Sequence, residues 1–66
     1  MYLEFTFLDK PTKLISGITE IQKNGKQITN YFEDISQLYS GKLFITHGDN
    51  EITIINGDTI KSVRIV

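Results

Sequence analysis

Polar and apolar residues alternate from Tyr2 to Leu8 (YLEFTFL), with Leu3, Phe5 and Phe7 on one side and Tyr2, Glu4, Thr6 and Leu8 on the other. That period of two predicts a half-buried strand, because successive side chains leave a pleated backbone in opposite directions. Asp9-Lys10-Pro11 ends the run, since proline has no N–H to give a ladder and Asp favours a turn. Lys13 to Phe32 reads as a hairpin about Asn24-Gly25, a pair suited to the type I′ turn, in which both central residues need positive φ. A two-residue loop there sets Ile21 against Ile28, Glu20 against Thr29, Ile18 against Tyr31 and Gly17 against Phe32. Apolar residues then meet apolar or small partners, which favours that register. Within the first arm Ile15 and Ile21 share one face and Leu14 and Ile18 the other, as in a strand bent between two small sheets. Gly17 opposite Phe32 marks a bulge, a bend or a spot where a ring covers bare backbone.

The period changes at Glu33 to Gly41. Ile35, Leu38 and Tyr39 fall at i, i+3 and i+4, which predicts a short helix at about 33–40. Asp34 and Gln37 have the spacing of a capping box, and Gly41 suits the position after the last turn. About two turns are too few to be stable alone, so this helix must dock by its apolar stripe. Lys42 to His47 and Glu51 to Asn56 return to strand patterning around Gly48-Asp49-Asn50. With Asp49-Asn50 central, His47 faces Ile52, Thr46 faces Thr53, Ile45 faces Ile54 and Phe44 faces Ile55. After the turn at Asn56-Gly57-Asp58, a loop reaching Thr59 sets Ile55 against Ile60, Ile52 against Val63 and Glu51 against Arg64. Ile60 is out of phase with Val63 and Ile65, which predicts a bulge or single turn near Ile60 to Ser62, with Val63 and Ile65 facing the core.

These elements define an all-β, antiparallel domain over residues 1–66: a partly closed barrel or bent sheet of five to six strands with one short helix. The strand order, with a helix before the last three strands, resembles that of the SH3-like and Sm-like small barrels. The resemblance is architectural and implies no particular activity, since small barrels host unrelated functions.

Composition narrows the rest. A 66-residue chain buries only about 60% of the surface its unfolded form exposes, so good packing or a partner subunit is expected to help it. There is no cysteine, hence no disulfide framework and no thiolate metal site. No apolar run is long enough to span a bilayer and no leader pattern opens the chain, so a cytoplasmic, non-membrane protein is expected. Eleven isoleucines in strand-like runs reinforce the β reading. Seven basic and eight acidic residues give a net charge of −1, which argues against nucleic acid as the default partner.

Candidate chemistry is sparse. His47 is the only histidine and could exchange a proton with Asp49 or Glu51 across their turn, but as a strand-end residue it needs no such role. Asp49-Asn50-Glu51 offers oxygens to a hard cation without EF-hand spacing, and a polar hairpin tip explains it. Neither a metal, a cofactor nor an enzymatic activity is expected. Lys23 and Lys26 flank the Asn24-Gly25 turn with Tyr31 further along, the cation-plus-aromatic arrangement that single-stranded nucleic acid uses. Tyr2, Tyr31 and Tyr39 are amphipathic aromatics of the kind enriched in protein interfaces. Tyr2, with Leu8 on the same face of its strand, is expected to leave an apolar patch. The expected role is a non-enzymatic protein-interaction module or small regulatory or inhibitory protein, with a nucleic-acid-binding barrel as the alternative. Ile, Lys and Asn usage fits an AT-rich phage or mobile element acting on a host protein, and homodimerisation by edge pairing would relieve the small core.

Overall fold

Tyr2–Phe7 (β1) is the middle strand of the smaller of two antiparallel sheets in the computed structural model, which describes residues 2–66. Its alternation is realised: Leu3, Phe5 and Phe7 are buried, and the Phe5 and Phe7 rings stack with centroids 6.3 Å apart. Lys13–Ser16 (β2) pairs along one side of β1, and Ile60–Ile65 (β7) along the other. The larger sheet has the order β4-β3-β5-β6, from Ile18–Lys23 (β3), Lys26–Ile28 (β4), Lys42–His47 (β5) and Glu51–Asn56 (β6). The architecture is all-β. Leu3, Phe5, Ile15, Ile21, Leu38, Leu43, Ile45 and Ile55 form the most deeply buried part of one core, to which both sheets contribute.

Gly17 separates β2 from β3, so one stretch of chain serves both sheets, as Ile15 and Ile21 imply. Its φ of +67° is strained for any residue with a Cβ, and such an atom would lie 3.4 Å from the Gly48 nitrogen. That distance is an ordinary contact, so the bend needs glycine for its φ alone. Its partner is not Phe32: the Gly48 N–H donates to the Gly17 carbonyl at 3.1 Å.

The Asn24-Gly25 turn has positive φ at both residues, and Ile21 faces Ile28 as expected. The hairpin is shorter than the sequence suggests. β4 stops at Ile28, so Glu20 and Ile18 do not meet Thr29 and Tyr31; β3 lies between β4 and β5 and pairs with β5 from Ile18 on His47 to Lys23 on Leu43. Asn30 ends the extended chain with a φ of 59°, a conformation asparagine tolerates, and its carbonyl accepts the N–H groups of Glu33 and Asp34.

The helix expected at about 33–40 is a single 3-10 turn, Ile35–Leu38. No capping box forms: the Asp34 side chain accepts from the Ser36 hydroxyl, and the Gln37 amide donates to the Thr29 carbonyl at 3.0 Å. One tight turn suffices because side chains at i and i+3 eclipse in a 3-10 helix, so Ile35 and Leu38 share a side. Leu38 is fully buried and Ile35 packs against the core.

The β5–β6 hairpin is offset by one residue from the expected register. Its loop has three residues, Gly48-Asp49-Asn50, so His47 faces Glu51, Thr46 faces Ile52, Ile45 faces Thr53, Phe44 faces Ile54 and Leu43 faces Ile55. Positive φ falls on Gly48 and Asn50, whereas a two-residue loop would have forced it on Asp49.

β7 makes no ladder with β6. A 3-10 corner at Gly57–Thr59 carries the chain to the smaller sheet, where Ile60, Val63 and Arg64 face Phe7, Phe5 and Glu4. The expected pairs of β7 with Ile52, Ile55 and Glu51 are therefore absent, because the corner takes the chain off the larger sheet to the free side of β1. The irregularity expected near Ile60 to Ser62 is present as a register shift that leaves Lys61 without a partner. Val63 is buried as expected, but Ile65 stays 42% exposed. Arg64 closes an ion pair with Glu4 at 2.7 Å.

Candidate interaction surface

The offset in the β5–β6 hairpin decides what the surface looks like. A one-residue slip exchanges the two faces of a strand. Thr53 and Ile55 therefore point inward, while Ile52 and Ile54 point out at 62% and 55% exposure. Ile54 is opposite Phe44 and Ile52 opposite Thr46, so an apolar strip runs over two strands of the outer face. Its rim is polar. The Lys42 ammonium lies 5.3 Å from the centre of the Phe44 ring, and Gln22 and Glu20, opposite Phe44 and Thr46 on β3, bond to each other at 2.7 Å.

β6 is also an edge. The Gly57 N–H donates to the Gly41 carbonyl at 2.7 Å in continuation of the β5–β6 ladder. Alternation then turns the backbone groups of Glu51, Thr53 and Ile55 toward β5, and those of Ile52 and Ile54 toward the open side. No backbone bond to another segment fills that side from Ile52 to Ile55 among the described residues. Unpaired N–H and C=O groups beside an apolar strip are what strand addition uses: the backbone supplies the bonds and alternate side chains the selectivity.

The three tyrosines lie on separate elements. Tyr2, 47% exposed, exchanges backbone bonds with Val66 at 2.8 and 2.9 Å on the smaller sheet. Its outward neighbours are Leu14, one pair along β2, and Val66, beside the Glu4–Arg64 ion pair. Leu8 lies past the other end of β1, about 20 Å away at the rise of an extended strand, so Tyr2 and Leu8 form no common patch. Tyr31 packs on Phe32 with ring centroids 5.0 Å apart, against the core. Tyr39 retains 37% exposure, and its hydroxyl accepts the Val63 N–H at 2.9 Å. Because Tyr2 and Val66 form a hydrogen-bonded pair, Val63 lies in a non-hydrogen-bonded one and its N–H points off the sheet edge. Tyr39 thus covers the edge of β7 at Val63. Tyr39→Phe should cost about 1–3 kcal/mol by stranding that N–H, read as a lower urea midpoint with unchanged slope.

Lys23 and Lys26 face each other beside their turn, but the Lys23 ammonium donates to the Gln37 carbonyl at 2.8 Å and so holds the 3-10 turn. His47 is half-buried, with Nε2 2.7 Å from the Thr53 hydroxyl and Glu51 opposite. Among the described residues no concave pocket opens and no group of acidic or histidine side chains could hold a metal ion. No helix is long and apolar enough to cross a membrane.

The strip at Phe44, Ile52 and Ile54 is the surface that periodicity alone misses. With apolar residues at 52, 54 and 55, β6 has no polar side to fix its facing. The signal that could have found it is Gly48, the cheapest residue in the loop to carry positive φ, which favours three residues over two. No protein-family model, curated protein or solved structure matches the chain.

Proposed function

We propose that this protein is a non-enzymatic interaction module, a small regulatory or inhibitory factor that binds another protein through the edge and outer face of β6. The observation that carries the reading is the outward placement of Ile52 and Ile54 on an edge strand whose backbone groups are free. An apolar centre with a polar rim of Lys42, Glu20 and Gln22 has the anatomy of a modest protein interface. The chain order also supports the SH3-like or Sm-like part of the reading: a first strand, a second bent at Gly17 into β3, the short β4, a 3-10 turn, then β5, β6, a 3-10 corner and β7. Action in a cytoplasm, and a phage or mobile-element origin with a host protein as target, extend this proposal on the Ile, Lys and Asn usage. The nucleic-acid alternative draws no specific support, since one of its lysines is engaged and its tyrosine is packed on Phe32.

Affinity capture from a host lysate, compared between the wild type and an Ile52→Lys/Ile54→Lys variant, tests the reading. Both positions are exposed, so the variant should keep its circular dichroism spectrum. A captured partner should weaken by 30-fold or more, the roughly 2 kcal/mol of an interface hot spot. Tyr2→Ala, on the other sheet, should keep that partner. A captured set unchanged by the β6 variant would refute this choice of surface.

A further inference from the structure

The occupant that β6 fits best is β6 itself. We infer that two copies of this chain pair antiparallel along β6 about a two-fold axis through Thr53. The inference rests on the reading of β6 as the contact surface and adds a second copy of the chain as an occupant of that surface.

The four sheet edges differ in how they are protected. β4 is three residues long and opens with exposed Lys26. β2 is four residues long and opens with exposed Lys13. β7 has its edge N–H at Val63 taken by Tyr39. Short length, lysine and covering are the usual protections against edge pairing. β6 has none of them. It is six residues long, contains neither lysine nor proline, and carries its one charge at Glu51, the first residue.

The edge of β6 is also self-complementary. In a two-fold antiparallel pair that continues the sheet, outward residues must meet outward residues, so the axis passes through a residue rather than between two. An axis at Ile54 would set Ile52 against Asn56, whose side chain is already bonded to the Asp58 N–H at 3.0 Å. An axis at Thr53 sets Ile52 against the second copy's Ile54 and Ile54 against the second copy's Ile52. These are the positions whose backbone N–H and C=O groups face the open side, so each finds its partner across the axis. On the outer face the row then runs Phe44, Ile54, then Ile52 and Thr46 of the second copy. β-branched pairs directly opposite are favourable on a sheet. Glu51 and the second copy's Glu51 fall at opposite ends of the ladder and do not confront each other.

One strand and two isoleucines per chain make a small interface, in the class below about 1,200 Å² that gives weak association. Wild-type protein in sedimentation equilibrium should therefore rise toward twice the monomer mass across roughly the 1 μM to 1 mM range. Ile52→Lys/Ile54→Lys places like charges opposite and should remain monomeric throughout. Ile52→Lys/Ile54→Glu should restore the dimer, because the lysine introduced at 52 meets the glutamate introduced at 54 of the second copy. Thr53→Cys should give a covalent dimer on mild oxidation in a chain that otherwise has no cysteine. Cα atoms of a non-hydrogen-bonded pair lie about 4.5 Å apart, within disulfide range. Ile52→Cys and Ile54→Cys, each two positions out of register with itself, should not cross-link. Two results would overturn the inference. One is a wild type that is monomeric up to 1 mM. The other is a dimer that is insensitive to the double lysine variant and fails to cross-link at Thr53. A monomer that still loses a captured partner on mutation of β6 would sink the self-pairing alone and leave the wider reading intact.

Discussion

Phe5→Ala is expected to bring the protein to the edge of unfolding at room temperature. Phe5 is fully buried on the central strand of the smaller sheet, flanked by Lys13 and Val63 and stacked beside Phe7. Truncating a buried phenylalanine removes its transfer free energy and leaves a cavity, together about 3–5 kcal/mol. A chain of this length has a total stability of about 3–10 kcal/mol, so the loss is a large share of it. Urea unfolding followed by circular dichroism should show the midpoint falling by about 2 M or more, or no folded baseline at all. Tyr2→Ala is the control, on the same strand with its ring on the outer face, and should cost under about 1 kcal/mol. Equal losses at the two positions would mean that β1 is not sided as described.

The contrast between Phe5 and Tyr2 was legible in the sequence because β1 is polar on one side, so alternation alone gives its facing. The turn at Asn24-Gly25 was legible for a different reason, since it rests on a local backbone demand that glycine and asparagine meet, whereas Gly17 alone left a bend, a bulge and a ring contact open. What escaped were decisions made over distance. Where β7 pairs depends on which ladder still has a free side once β1, β3 and β5 are placed, and no short pattern encodes that. Tyr39 illustrates a subtler limit. Its spacing from Ile35 marked it as part of a helical stripe, and its amphipathic ring marked it for a partner, yet its hydroxyl bonds a neighbouring strand of its own chain. The exposed strip on β6 was hidden because Ile52, Ile54 and Ile55 satisfy a core pattern in either register. Loop length then decides which of them meets water. Burying Leu43, Ile45 and Ile55 leaves Ile52 and Ile54 outside, and a core this small has no second layer to cover them.

Gly57→Ala is expected to be nearly as damaging as Phe5→Ala, although Gly57 has no unusual φ. It sits buried at the start of the 3-10 corner where the chain leaves β6 for β7. A Cβ there would lie 2.8 Å from the Ser40 carbonyl carbon, 2.9 Å from the Gly41 oxygen and 2.9 Å from the Ser40 nitrogen. All three are backbone atoms and cannot rotate away. Relief requires separating the corner from residues 40 and 41, which stretches the bond from the Gly57 N–H to the Gly41 carbonyl, 2.7 Å in the native protein. Overpacking costs about 1–3 kcal/mol and a stranded buried N–H a further 1–3, so the total is about 2–6 kcal/mol. Gly48→Ala isolates the steric cause. Gly48 has a φ of +58° but open space around its missing Cβ, so that substitution should cost only the roughly 1–2 kcal/mol of a left-handed residue. Thermal or urea unfolding of the two variants side by side reads the order directly. Gly57→Ala should be the less stable; if Gly48→Ala proves worse, backbone conformation rather than close approach limits this fold, and the packing assigned to the β6–β7 corner is wrong.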